Sequence, residues 1–244
     1  MTLFAVSLSQ PHFTRPQRWR FGISLAALCL LAGTCQAANV RSVSGEVEIV
    51  RNGTTLRATQ GLRLQEGDIL QSAAPDLGKS DTDTGGEALV RFDDGARMAL
   101  RGGSQVEIEQ LLLKGPRQNR QKKLRVITGA LRYISGVATV RQRVAFVTST
   151  ATIGIRGTDI EIVVAQEAVQ DNNPGTYLKV NTGAAVLTAP DGAQVDVAPG
   201  EVAYGGEPEL TMRGKGGTRR ASARKVTSLG DGVFKASGLD KLMK

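Results

Sequence analysis

From residue 38 to residue 205, apolar residues recur at every second position in short runs, and no stretch sustains the 3.6-residue spacing of a helix. Val43, Gly45, Val47 and Ile49 alternate with Ser44, Glu46 and Glu48. Ala88, Val90 and Phe92 alternate with Glu87, Leu89 and Arg91, and Ala96, Met98 and Leu100 repeat the pattern after Asp93-Asp94-Gly95. Many short strands with turn signals between them predict an all-β domain, an irregular β-sandwich or β-roll of strands and hairpins. Asn52-Gly53, Asp94-Gly95 and Asp191-Gly192 mark hairpins, because Asn, Asp and Gly tolerate positive φ. Asp93, Asp94 and Gly95 are therefore turn residues. The three dipeptides share no common spacing, which argues against a regular solenoid.

This reading gives one strand over 43–50, short strands at 124–127 and 130–134 joined at Thr128-Gly129, and further strands at 176–181 and 184–189. Residues 73–86 and 166–175 read as polar loops, and the basic stretch 114–123 reads as a solvated loop.

Residues 144–164 stand at the centre of the pattern. They begin as a strand, with Val144, Phe146 and Thr148 on one face. They end as a strand, with Ile160 and Ile162 facing one way and Asp159 and Glu161 the other. Between lies a polar segment in which Arg156 stands between Gly154 and Gly157. A guanidinium held there has two uses. It can clamp a carboxylate or phosphate, or it can pair with Asp159 or another carboxylate and pin an irregular strand crossing. The second use predicts that Arg156→Ala harms stability more than binding.

The two ends differ from the middle. Arg15, Arg18 and Arg20 precede an apolar run from Phe21 to Leu31, followed by a small-residue stretch ending at Ala37. Residues 1–37 are thus expected to be a secretory signal peptide, the run being shorter than the roughly 20 residues a spanning helix needs. Both cysteines, Cys29 and Cys35, the only histidine, His12, and the only tryptophan, Trp19, lie in this segment. A chain cleaved after Ala37 has no disulfide, no Ser-His-Asp or Cys-His nucleophile and no Cys/His zinc site. Residues 206–244 form a Gly-, Lys- and Arg-rich tail, expected to be disordered or weakly helical. Its part from 211 to 244 holds nine Lys/Arg against two Asp. The whole chain is +8, yet residues 38–210 hold 19 basic and 21 acidic residues. The fold itself therefore lacks the basic excess of a nucleic-acid binder, while the 211–244 tail suits contact with an anionic surface.

Candidates for chemistry are few. Asp93 and Asp94 are available as an acid/base pair, but an Asp-Gly turn accounts for them. Asp81, Asp83 and Glu87 are loosely spaced like calcium ligands without the remaining ligands of such a loop. No catalytic, cofactor or metal residues are assigned, and no cofactor is expected.

Thr148-Ser-Thr-Ala-Thr-Ile-Gly-Ile-Arg-Gly-Thr-Asp-Ile, preceded by Val126-Ile-Thr-Gly-Ala-Leu-Arg and followed by Tyr177-Leu-Lys-Val-Asn-Thr-Gly-Ala-Ala-Val, resembles the FecR domain family. Gly45-Glu-Val-Glu-Ile, Gly67-Asp-Ile-Leu and Leu89-Val-Arg-Phe-Asp-Asp-Gly look like the leading part of the same module. The resemblance spans about 38–205 and makes Thr148, Ala151, Gly154, Arg156, Gly157, Thr158 and Asp159 its signature, read as structural. It implies a non-catalytic, exported, periplasmic module that acts as scaffold or sensor and binds an envelope protein or cell-wall component. One alternative is a trans-envelope signalling regulator anchored by an uncleaved N-terminal segment. Another, from a different class, is a carboxylate-based glycan hydrolase.

Overall fold

The computed structural model describes residues 38–76, 85–116, 119–136, 143–168, 172–207, 210–211, 218–219, 222–226 and 234. The signal-peptide reading of 1–37, Asp81, Asp83 and most of the 206–244 tail lie outside these residues.

The first strands in chain order are β1 (Ala38–Ser44), β2 (Val47–Arg51), β3 (Thr54–Arg57), β4 (Arg63–Leu64), β5 (Ile69–Ser72), β6 (Glu87–Phe92), β7 (Arg97–Leu100) and β8 (Gln105–Leu112). Then come β9 (Gln121–Ile134), β10 (Arg143–Val147), β11 (Thr152–Ala165), β12 (Gly175–Thr188), β13 (Gln194–Val197) and β14 (Val202–Gly205). Three short strands, β15 (Leu210–Thr211), β16 (Thr218–Arg219) and β17 (Ala223–Lys225), follow. All except the β15–β16 pair join one mixed sheet of 15 strands. The all-β class expected from the alternation is thus the class observed.

The sheet is organised by β9, β11 and β12, each 14 residues long. Each carries a positive-φ glycine in its interior: Gly129 at 89°, Gly157 at 57° and Gly183 at 86°. These glycines divide the ladders into two halves. In one half, β10 lies between β9 and β11, parallel to β9 and antiparallel to β11. The β8, β5, β2 and β3 ladders extend this half from β9, and β13 extends it from β12. In the other half β10 is absent and β9 pairs directly with β11, Asp159 facing Ile134 and Ile162 facing Leu131. There β7, β6, β1 and β4 extend from β9, and β14 and β17 from β12.

Buried apolar residues of both halves form one cluster. Ile49, Val106, Leu124, Phe146 and Leu187 come from the first half; Val90, Met98, Tyr133, Ile162 and Val180 come from the second. Tyr133 joins them, its ring edge-on to Phe92 at 6.1 Å and to Phe146 at 5.1 Å. Full burial of each large side chain contributes about 1.5–3 kcal/mol.

Several expectations about individual segments are corrected. The strand read over 43–50 is two strands, because Gly45 adopts φ 68° and the chain leaves the β1–β6 ladder for the β2–β5 ladder. A side chain at Gly45 would meet the carbonyl oxygen of Gly85 at 2.6 Å. The pairs of strands read at 124–127 with 130–134, and at 176–181 with 184–189, are each a single bent strand: a positive-φ glycine turns a strand without ending it. The supposed solvated loop is strand at its end, since β9 begins at Gln121 and Leu111 of β8 faces Lys122. The tail also contributes structure. β17 pairs with β14, with Ser222 and Ala223 buried and Lys225 in a 2.6 Å ion pair with Glu201. The reason is that β14 would otherwise present an unpaired backbone edge.

Candidate functional site

The signature residues lie on the turn into β11 and on its bend. Thr148 closes the turn: its Oγ1 accepts the amide hydrogens of Thr150 and Ala151, and its amide donates to the Ala151 carbonyl. Thr176 on β12 bonds the hydroxyls of both Thr148 and Thr150 at 2.6 and 2.8 Å. Ala151, Ile153 and Ile155 point into the core. By alternation, Gly154 and Arg156 therefore point outward.

At the bend, Thr158 is buried and donates its amide to Ser135 Oγ, while the Thr158 carbonyl accepts from the Ser135 amide. Asp159 then receives a two-pronged bond from Arg132 on β9, with Nε–Oδ1 at 2.9 Å and Nη2–Oδ2 at 2.6 Å. This carboxylate raises the Arg132 pKa above its ordinary value, chiefly through the side-chain hydrogen bond. Asn181 on β12 donates to Glu161 at 2.9 Å. A polar row thus ties β9, β11 and β12 together beside the bend.

Arg156 takes no part in that row. The expected Arg156–Asp159 pair does not form, because Arg132 occupies the carboxylate from the adjacent strand. Arg156 is exposed and makes no side-chain hydrogen bond or ion pair with the described residues. Continuing the Val144–Ile155 register places Arg143 of β10 opposite it, also exposed and unpaired among the described residues. Directly opposed like charges on a sheet destabilise it.

Both arginines line a cleft of about 940 Å³. Its other walls include Val186, 37% exposed, together with Asp196 and Lys225. Gly154 lies in the cleft as well. Its φ is not in the left-handed region and a Cβ placed there would touch nothing within 4 Å. Neither backbone nor packing therefore requires a glycine at 154. A strand-interior glycine with open space above it suits the close approach of another molecule.

Other sequence candidates are employed within the fold. Asp93 pairs with Arg63 at 3.2 Å at the surface. Asp94 accepts the Ala96 amide in the hairpin turn, where Gly95 has φ 85°, and its other oxygen accepts from Lys122 at 2.9 Å. Lys122 is buried, donates to the Tyr133 hydroxyl at 2.8 Å, and lies 3.9 Å from the Phe92 ring centre. Burial lowers its pKa to about 8 against the opposing pull of Asp94. Glu87 pairs with Arg101 at 2.7 Å. Among the described residues no group of three potential metal ligands is brought together.

Sequence reasoning missed Lys122 and Arg132. Lys122 had one available signal: it continues inward the alternation of Leu124 and Val126. Arg132 likewise alternates with Leu131 and Tyr133, but its partner on β11 depends on register that alternation does not supply.

With this geometry established, comparison with known proteins adds a family match over part of the chain. The family model described as FecR protein matches residues 78–186, somewhat under half of the chain. The match runs from before β6 into β12 and includes the whole bend of β11. Two crystal structures provisionally described as an anti-sigma factor from Parabacteroides distasonis are similar, at 12% and 11% identity and TM-scores of 0.42 and 0.44. Each alignment covers 64% of this chain and 59% of the solved chain, so the match spans under two thirds of either. No curated protein matches the sequence.

Proposed function

We propose that this is an exported, non-catalytic FecR-type module that senses or scaffolds by binding an envelope protein or cell-wall component in the cleft beside the β11 bend. The observation that carries the reading is Arg156. The other polar signature residues are used by the turn and the bend, whereas Arg156 is presented to the cleft with Arg143 beside it. Two unpaired guanidiniums over a small-residue floor suit a partner that brings carboxylate or phosphate groups. Export rests on the charged, apolar and small-residue order of residues 1–37.

Three measurements test it. The mature N-terminus is expected near Ala38; an intact N-terminal segment in the membrane fraction would favour the anchored alternative. A photocrosslinking side chain at position 186 is expected to capture a discrete envelope partner in the native cell. Arg156→Ala is expected to leave stability within about 0.5 kcal/mol of wild type, as for other exposed, unpaired surface positions. It should reduce that capture by about tenfold, the effect of losing one charged hydrogen bond. A large fall in melting temperature with capture intact would restore the structural role for Arg156.

A further inference from the structure

A second basic pocket lies on the outer surface of the other half of the sheet, and Arg156 is not among its lining residues. Hairpin register places Arg91 of β6 directly opposite Arg97 of β7, and Arg97 opposite Ile134 of β9. Arg41 joins them through an irregularity. The β1–β6 register shifts between Val40 and Ser42, so Arg41 is the extra residue of a bulge. Bulges re-aim side chains and are enriched beside binding sites. Here the bulge brings Arg41 to the same pocket as Arg91 and Arg97, a space of about 420 Å³. Leu89 and Ile134, packed on Ala99 outside the main core, give it an apolar base.

Among the described residues no carboxylate lines this pocket. Acids on the same and adjoining strands are engaged elsewhere: Asp93 with Arg63, Asp94 with Lys122, Glu87 with Arg101 and Asp159 with Arg132. Arg41 and Arg91 are exposed and make no side-chain hydrogen bond or ion pair with the described residues, while Arg97 makes a further interaction within the protein. Arg91 directly opposite Arg97 places two like charges together, and a bound anion lessens their repulsion. Three guanidiniums carry more charge than one carboxylate balances. A phosphoryl group offers more than one negative charge and three acceptor oxygens.

We propose that Arg41, Arg91 and Arg97 form a phosphoryl-binding site, with Leu89 and Ile134 contacting an apolar part of the ligand. The same chemistry is offered by free phosphate and by a lipid phosphomonoester headgroup, and the test separates them. The mature protein is titrated calorimetrically with inorganic phosphate and with acetate at matched ionic strength. It is also sedimented with phosphatidylcholine vesicles with and without phosphatidic acid. The Arg41→Gln/Arg91→Gln variant is run beside wild type.

Saturable phosphate binding that acetate does not reproduce, weakened at least about tenfold in the variant, is the result expected for a free anion. Sedimentation with phosphatidic acid vesicles that the variant loses, without binding of free phosphate, assigns the lipid source. Equal response to acetate, an unchanged variant, or no binding in either arm overturns the proposal. Vesicle binding that persists in the variant belongs to the basic tail and also overturns it. The variant's melting temperature is expected to equal or exceed that of wild type, since it removes a like-charge pair, so lost binding cannot be ascribed to unfolding.

Discussion

Replacing Lys122 by Met is expected to lower stability by about 3–5 kcal/mol, the range for breaking a buried ion pair by removing one partner. The ammonium is fully buried, and its hydrogen bonds reach both the Asp94 carboxylate and the Tyr133 hydroxyl. Removing it leaves Asp94 charged in the interior, at the turn that connects β6 to β7. The double variant Lys122→Met/Asp94→Asn is expected to recover most of the loss, because it removes the stranded charge and keeps the oxygen that accepts the Ala96 amide. Chemical denaturation of the three proteins provides the comparison. A double variant no better than Lys122→Met alone would show that the Lys122–Asp94 charge pair is not the source of the effect.

The same residue sets a pH dependence. The folded Lys122 pKa is about 8, lowered from 10.5 chiefly by burial. Below pH 8 both folded and unfolded states hold the proton, and the full cost of burying the charge is present. Between pH 8 and about 10 the unfolded chain still holds a proton that the folded chain has released, so stability rises with pH. Above about 10 the tyrosines reverse the trend. Burial raises the Tyr133 pKa well above its ordinary value and that of Tyr177 to about 12, so the unfolded chain loses those protons first. Wild type is expected to gain stability from pH 8 to pH 10, and Lys122→Met to lack that gain. A flat wild-type profile would mean that Lys122 keeps its proton throughout.

Gly183→Ala is expected to cost about 2–4 kcal/mol, while Gly154→Ala is expected to be neutral or to stabilise by about 0.5–1 kcal/mol. At Gly183 the backbone is left-handed, and a Cβ would lie 2.5 Å from the Gly157 carbonyl oxygen and 2.7 Å from Thr158 Cγ2. The bends of β11 and β12 nest there, and backbone cannot yield as a flexible side chain does. At Gly154 a Cβ meets open cleft. Thermal melting compares stability, and crosslinked capture from position 186 compares binding. Gly154→Ala is expected to melt no lower than wild type yet capture less partner. If it bound normally, the cleft floor would not be a contact surface.

How much of this was legible beforehand differs by residue. Alternation of Val90, Phe92, Met98 and Leu100 around Asp-Asp-Gly located the β6–β7 hairpin, because local chemistry decides a tight turn. That hairpin sets Arg91 opposite Arg97, but alternation does not show that Arg41 joins them, since the β1 bulge depends on pairing between segments 50 residues apart. The long strands were read as broken at Gly129 and Gly183, because glycine marks both a break and a bend, and only the neighbouring ladders decide which. Asp159 was one candidate partner for Arg156, and it pairs with a different arginine. Asp159 lies three residues away, whereas its actual partner Arg132 lies 27 residues away on a neighbouring strand.

The continuity of β9, β11 and β12 through both halves has a mechanical consequence. Packed sheets joined only by loops can slide or part along their seam. Here three covalent chains cross from one half to the other at neighbouring bends, tied at Ser135–Thr158 and Arg132–Asp159. A pull on a partner seated at the β11 bend would load all three strands at once, and the force would reach the far hairpins without a hinge to absorb it.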